Sequence, residues 1–206
     1  MYWYEEDVVR LEKNIATINY QPSLLFYGSS SIRLWRSLYE DFKKYNPINL
    51  GFGGSTLEAC VYFFNRIIQP SFYPKHLIIY AGDNDLGDGR TPAEVHGYFL
   101  ELCKQINTHF GHLPLSYVSI KPSPSRWHIN EAIKQTNSLI NDTINMHPNM
   151  FFVDVHNRML GDDGRPVAQY YDVDGLHLND TGYTIWKEVL LTHISLNVHG
   201  SLISAA

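Results

Sequence analysis

Cysteine is scarce in this chain: Cys60 and Cys103 are the only two among 206 residues. Both fall in helix-like apolar stretches with no metal-ligand spacing, so they read as buried free thiols rather than a disulfide framework or a zinc site. Positive charge is also short, with 16 Lys and Arg against 21 Asp and Glu and a net charge of −5. That balance argues against nucleic acid as a main partner, because neutralising phosphates needs clustered cations. No apolar run approaches the roughly 18 residues of a membrane span. The stretch from Met1 to Asn14 is acidic and lacks an apolar signal core, which points to a cytoplasmic protein. No repeat, low-complexity tract or linker interrupts the chain, so residues 1–206 read as one domain. A chain of this length buries about 70% of its unfolded surface and needs no staple.

What is present is an alternation of short apolar runs with longer amphipathic ones. Ser23–Gly28, Pro47–Gly54, His76–Gly82, Leu113–Ile120 and Met150–Val155 read as strands, each apolar, rich in β-branched or aromatic residues and bounded by Gly or Pro. Helical periodicity covers Trp3–Ile18, Thr56–Ile68, Pro92–His109, Trp127–Met146 and Asp180–Leu196, with Thr91 as a cap before Pro92. A helix-like pattern also follows the serines after the first strand. Strands alternating with helices predict an α/β protein with a parallel sheet and helices on both faces. Ligands in such sheets bind beyond the C-terminal strand ends. Three consecutive strands end in glycine and small polar residues: Gly28-Ser29-Ser30-Ser31, Gly51-Phe52-Gly53-Gly54 and Gly82-Asp83-Asn84-Asp85. These loops are expected to share one rim. A fourth polar loop, Asp172–Asp180, precedes the last helix.

The set suits nucleophilic catalysis. A serine needs a histidine to take its proton, a carboxylate to orient that histidine, and donors aimed at the developing oxyanion. The serine loop offers the nucleophile at a strand-to-helix turn. Asp174 and His177 lie three residues apart in one loop, close enough for the carboxylate to reach the imidazole. Gly54 offers a backbone N–H, and Asn84 offers a side-chain N–H. Other readings weigh against this one. Gly- and Ser-rich turns also cradle anions or FMN, but such a binding module leaves Asp174, His177 and Asn84 without a role. The Asp83–Gly89 loop lacks the spacing and closing Glu of a calcium loop. Asp172 and Asp180 read as turn and cap residues, and Asp83 and Asp85 as supports of the loop presenting Asn84.

Taken in order, these four blocks resemble the SGNH hydrolases, also called GDSL-type esterases and lipases. The family's first block is Gly-Asp-Ser, here Gly28-Ser29-Ser30. The second is a strand ending in a glycine before a small polar residue, here Gly54. The third is Gly-x-Asn-Asp, here Gly82–Asp85, and the last is Asp-x-x-His, here Asp174–His177. The resemblance spans Leu24 to Trp186. It implies a three-layer α/β/α sandwich with a five-stranded parallel sheet, the flavodoxin-like SGNH hydrolase fold. It aligns Ser30 with the nucleophile, Asp174 and His177 with its triad partners, and Ser30, Gly54 and Asn84 with the oxyanion hole. The implied activity is two-step hydrolysis of a small-molecule ester, with no cofactor and no metal. Carbohydrate deacetylase, thioesterase and lysophospholipase activities belong to the same family; with no lid insertion or long apolar patch, short, water-soluble esters are favoured. Ser29 departs from the family's Asp. Ser29 and Ser31 are expected to cap free N–H groups of the next helix. Tyr27, Phe52, Trp127, Tyr170 and Tyr171 are candidates for either a substrate pocket or the core.

Overall fold

The computed structural model describes residues 1–69 and 71–197; the end of the 1–206 span read as one domain lies outside the described residues. A 3₁₀ turn, Tyr2–Tyr4, leads into helix α1 (Glu5–Ala16). Strand β1 (Leu24–Gly28) is followed by two one-turn helices, α2 (Ser30–Arg33) and α3 (Leu38–Asp41). Next come β2 (Pro47–Gly51), α4 (Leu57–Ile67), β3 (His76–Tyr80) and the short α5 (Asp83–Gly87). The chain continues through α6 (Pro92–Phe110), β4 (Leu115–Val118), α7 (Asn130–Ile144), β5 (Met150–Val153) and α8 (Asp180–Asn197).

The five strands form one parallel sheet in the order β2-β1-β3-β4-β5. Side chains alternate across it, as strand geometry requires. Leu25, Tyr27, Ile48, Leu50, Leu77 and Ile79 face one core, which α1, α4, α6 and α7 complete. Leu24, Phe26, Ile78, Tyr80 and Val118 face the other, closed by Trp35 and by Trp186, Leu190 and Ile194 of α8. Each fully buried large apolar side chain contributes about 1.5–3 kcal/mol. Two such cores make the sheet the rigid part and leave its loops free to carry polar groups.

The expected strands are all present but shorter: β2, β3 and β5 end early where their polar ends leave the sheet for the rim, β4 is shorter at both ends, and β1 lacks only Ser23. Pro47–Gly54, for example, is strand only to Gly51, and Phe52–Gly54 belongs to the loop. The expected helix from Trp127 opens as a 3₁₀ turn, Trp127–Ile129, before α7. The helical pattern after the serines breaks where Trp35 turns into the core and donates its Nε1–H to Asp41, 2.9 Å away. Thr91 caps α6 through a reciprocal pair with Glu94, as its spacing predicts.

Candidate active site

β1 ends at Gly28, whose φ of +143° is in glycine territory. A Cβ there would stand 1.9 Å from the Tyr80 carbonyl oxygen at the end of β3. This close approach lets the Ser29 N–H donate to that carbonyl at 2.9 Å. The chain then turns directly into α2, with Ser30 as its first residue. Ser29 does not cap this helix with its hydroxyl. Its backbone carbonyl takes the N–H groups of Ile32 and Arg33 instead, at 2.9 and 3.1 Å, which removes the need for a side-chain cap. Ser31 is buried inside α2, where its carbonyl accepts the Tyr183 hydroxyl at 3.0 Å. The capping expected of Ser29 and Ser31 is therefore corrected.

Ser30, nearly buried, faces the loop before α8. Its Oγ lies 3.0 Å from His177 Nε2, and His177 Nδ1 lies 2.5 Å from Asp174 Oδ2. The second oxygen of Asp174 accepts the N–H groups of Leu176 and His177, both at 2.9 Å. Partial burial pushes the Asp174 carboxyl up, but the hydrogen bonds from the His177 ring and these two N–H groups outweigh it and hold the pKa at about 2. An ionised carboxylate only accepts, so the imidazole proton sits on Nδ1 and Nε2 is free to receive the Ser30 proton. The loop is closed by the Asp172 N–H donating to the His177 carbonyl at 2.8 Å. Asp172 is thus a turn residue, as expected. Asp180 is not the cap: it is the first residue of α8, and Asn179 Oδ1 takes the Thr181 and Gly182 N–H groups at 3.0 and 3.2 Å.

Gly54 and Asn84 stand at the next two strand ends. α1 reaches over the glycine loop: Asp7 takes the Gly53 N–H at 2.6 Å, and the Tyr4 hydroxyl donates to the Gly54 carbonyl at 3.4 Å. Gly54 adopts φ of +65°, with nothing within 4 Å of the position a Cβ would fill. Among the described residues its N–H enters none of these bonds, so of the two glycines Gly54 has the free donor. Asn84 Nδ2 donates to the Ser55 carbonyl at 3.0 Å, which ties the Asn84 amide to the glycine loop.

Beneath Asn84 lies a charge cluster that sequence reading missed. Asp83 is buried between Lys121, at 2.9 Å, and Arg126, at 2.6 Å. Burial alone pushes the Asp83 carboxyl up, yet the two cations hold it below its ordinary value. Arg126 also donates to Asn84 Oδ1 at 3.0 Å. The available signal was the two cations bounding Lys121-Pro-Ser-Pro-Ser-Arg126 at the end of the fourth strand. Asp85 accepts the Leu57 N–H at the start of α4, at 2.8 Å, and burial raises its pKa to about 6. Both aspartates thus brace the segment that carries Asn84.

The aromatic candidates divide. Tyr27, Phe52 and Tyr171 are core residues; the Tyr27 hydroxyl donates to the Cys60 carbonyl at 2.7 Å and that of Tyr171 to Pro122 at 2.5 Å. Tyr170 packs against the α8 core, partly buried. Trp127 lines an open cleft of about 650 Å³ with Asn130, Lys134 and His156, whose lining includes none of Ser30, Asp174 or His177. Cys60 is buried and Cys103 half-buried, and burial pushes both thiols up, Cys103 to about 12. Among the described residues no group of three or more His, Cys, Asp or Glu could hold a metal ion, and no helix is long and apolar enough to cross a membrane.

The same architecture recurs among solved structures. A Streptococcus pneumoniae protein described as a platelet activating factor superposes with a TM-score of 0.83 at 19% identity, covering 93% of this chain and 92% of that one. An acylhydrolase from Bacteroides fragilis gives 0.79 at 19% identity over 91% and 95% of the two chains. A GDSL-like lipase from Bacteroides thetaiotaomicron gives 0.74 at 22% identity over 91% and 97%. At these identities the likeness is one of fold. No curated protein matches. The model of the GDSL-like lipase/acylhydrolase family matches residues 20–185, most of the chain and a span that takes in Ser30, Gly54, Asn84, Asp174 and His177, and the protein belongs to that family of ester hydrolases.

Proposed function

We propose that the protein is a serine esterase that hydrolyses short, water-soluble carboxylic esters by two-step acyl transfer. The observation that carries this reading is the continuous hydrogen-bonded chain from Ser30 Oγ through His177 to Asp174, at 3.0 and 2.5 Å. His177 Nε2 takes the Ser30 proton as Oγ attacks the ester carbonyl, and Asp174 holds the ring in the productive tautomer. The oxyanion that forms is met by the N–H groups of Ser30 and Gly54 and by Asn84 Nδ2. His177 then protonates the departing alcohol. In the second step it takes a proton from water, which attacks the acyl-serine and releases the acid. His177 and Asp174 are 29% and 47% exposed, an open setting that supports soluble esters over long lipid chains.

The test is hydrolysis of p-nitrophenyl acetate and butyrate together with labelling by a fluorophosphonate. The wild type is expected to turn over both esters and to take one label on Ser30. Ser30→Ala is expected to lose the label and roughly 10⁶-fold in turnover, as nucleophile removal does in serine hydrolases. Ser29→Ala and Ser31→Ala are expected to keep both. A label that persists in Ser30→Ala and maps to a neighbouring serine overturns the assignment.

A further inference from the structure

The Asn84 amide has two neighbours of opposite hydrogen-bonding character. Arg126 has only donors, so the atom 3.0 Å from its Nη2 must be the amide oxygen. The Ser55 carbonyl only accepts, so the atom 3.0 Å from it must be the amide nitrogen. The two partners therefore forbid a flipped amide. One Nδ2 proton is used by Ser55, and the other is left for a ligand.

Arg126 is itself held from several sides. Its Nη1 is paired with buried Asp83 at 2.6 Å, and Asp83 is paired in turn with Lys121, which is only 1% exposed. Its guanidinium lies against the last turn of α5 at Gly87, where a Cβ would come within 2.8 Å of Cζ. The preceding residue, Ser125, donates its N–H to the Gly175 carbonyl at 3.1 Å, inside the Asp174–His177 loop. The Lys121–Arg126 segment thus touches both halves of the site. Lys121 and Arg126 against Asp83 leave one excess positive charge directly behind the Asn84 amide.

We propose that Arg126 is the positioning residue of the oxyanion hole. It locks the Asn84 amide with nitrogen towards the reacting centre, and its charge polarises that amide so that Nδ2–H becomes a stronger donor as the oxyanion forms. This rests on the esterase reading and on Asn84 as a donor. Polarisation acts on charge that develops in the transition state, so it belongs to kcat rather than to KM.

The experiment is a double-mutant cycle of Arg126→Met and Asn84→Ala, read by ester kinetics, by the rate of fluorophosphonate labelling of Ser30, and by thermal melting. Met keeps much of the stem but supplies neither charge nor donor, and Lys121 still neutralises Asp83. Asn84→Ala is expected to lower kcat by about 10²–10³-fold, the usual cost of one oxyanion donor. Arg126→Met is expected to lower kcat and the labelling rate by roughly 10- to 100-fold, a part of that same loss, with KM nearly unchanged. In the Asn84→Ala background the Arg126 substitution is expected to change kcat by less than about twofold, because the group it acts through is gone. Arg126→Lys, which restores the charge without the fork, is expected to recover part of the rate. If Arg126→Met is too unstable to assay, the same cycle is run with Arg126→Gln. Equal losses in both backgrounds, or a folded Arg126 variant with wild-type kcat, overturn the proposal while the esterase reading stands. A wild type that neither turns over esters nor takes the label overturns both.

Discussion

Asp174 is 47% exposed, yet its carboxyl stays ionised down to about pH 2, because it accepts from the His177 ring and from two backbone N–H groups. Those N–H groups both meet Oδ1. In Asp174→Asn they would hold the amide oxygen and force the NH₂ towards His177. A donor there cannot accept the Nδ1 proton, so the ring must shift that proton to Nε2, the nitrogen proposed to act as base. The expected result is a folded protein with kcat lowered by about 10⁴-fold, the effect known for the same exchange in another serine hydrolase. Melting temperature and kcat, measured together, check this. A variant retaining more than a tenth of wild-type turnover shows that Asp174 does not set the tautomer.

At the scale of elements, the site is a set of strand ends braced against each other by neighbouring helices. α1 holds the glycine loop through Asp7, and α5 is joined to α4 by the Asp85 carboxyl on the Leu57 N–H. Asp85 has a second consequence. Its pKa is raised by burial to about 6, and among the described residues its Oδ1 is buried without a hydrogen-bond partner. An unfolded aspartate ionises near pH 4. The folded state thus prefers the protonated form, so its stabilising effect is complete below about pH 4 and is lost as pH rises towards 6. Asp85→Asn removes this dependence. The variant is expected to gain in melting temperature on the wild type between pH 4.5 and 7.5. A difference that stays constant over that range refutes the titration of Asp85.

Across the whole molecule, α8 is fastened to the middle of the sheet by a buried polar chain. His76 of β3, Ser116 of β4 and His193 of α8 are linked by two contacts of 2.7 Å each. Among the described residues His76 Nδ1 is buried without a partner. The Ser116 hydroxyl bridges the two rings, and on its far side His193 Nδ1 lies 3.2 Å from Asn197 Nδ2. Burial, helped by the nearby His193, pushes the His76 pKa down to about 3, and burial lowers that of His193 too. The unfolded chain takes up these protons near pH 6.5 and the folded protein does not. Stability from the neutral pair is full above pH 6.5 and is lost as pH falls towards 3. His76→Gln can still hydrogen-bond Ser116 but cannot titrate. It is expected to be less stable than the wild type at pH 7.5, with a gap in urea midpoint that narrows by pH 5. A gap that does not narrow means His76 is not a source of acid lability.

The α/β alternation, the sheet's parallel sense and the rim of small polar residues were legible in the sequence because they rest on local signals: apolar runs of strand length, helical periodicity, and Gly or Pro at the boundaries. The hydrogen-bonded pairing of Asp174 with His177 was legible for the same reason, the two being three residues apart in one loop. What the linear chain could not specify are partnerships set by strand order. Ser30 and His177 are 147 residues apart and meet at 3.0 Å because β1 and the loop before α8 open on the same edge of the sheet. Asp83 and Lys121 pair because β3 lies beside β4, not because anything near Asp83 calls for a cation. Ser29 sits where a cap was expected, but the turn put its carbonyl, not its hydroxyl, in reach of the free N–H groups. The choice of Gly54 over Gly53 as the free donor was made by Asp7, which lies 46 residues away in α1 and takes the Gly53 N–H. Propensity and periodicity act over a few residues and are written into the chain. The neighbour of a buried charge or an unpaired N–H is chosen by packing, which exists only once the sheet has formed.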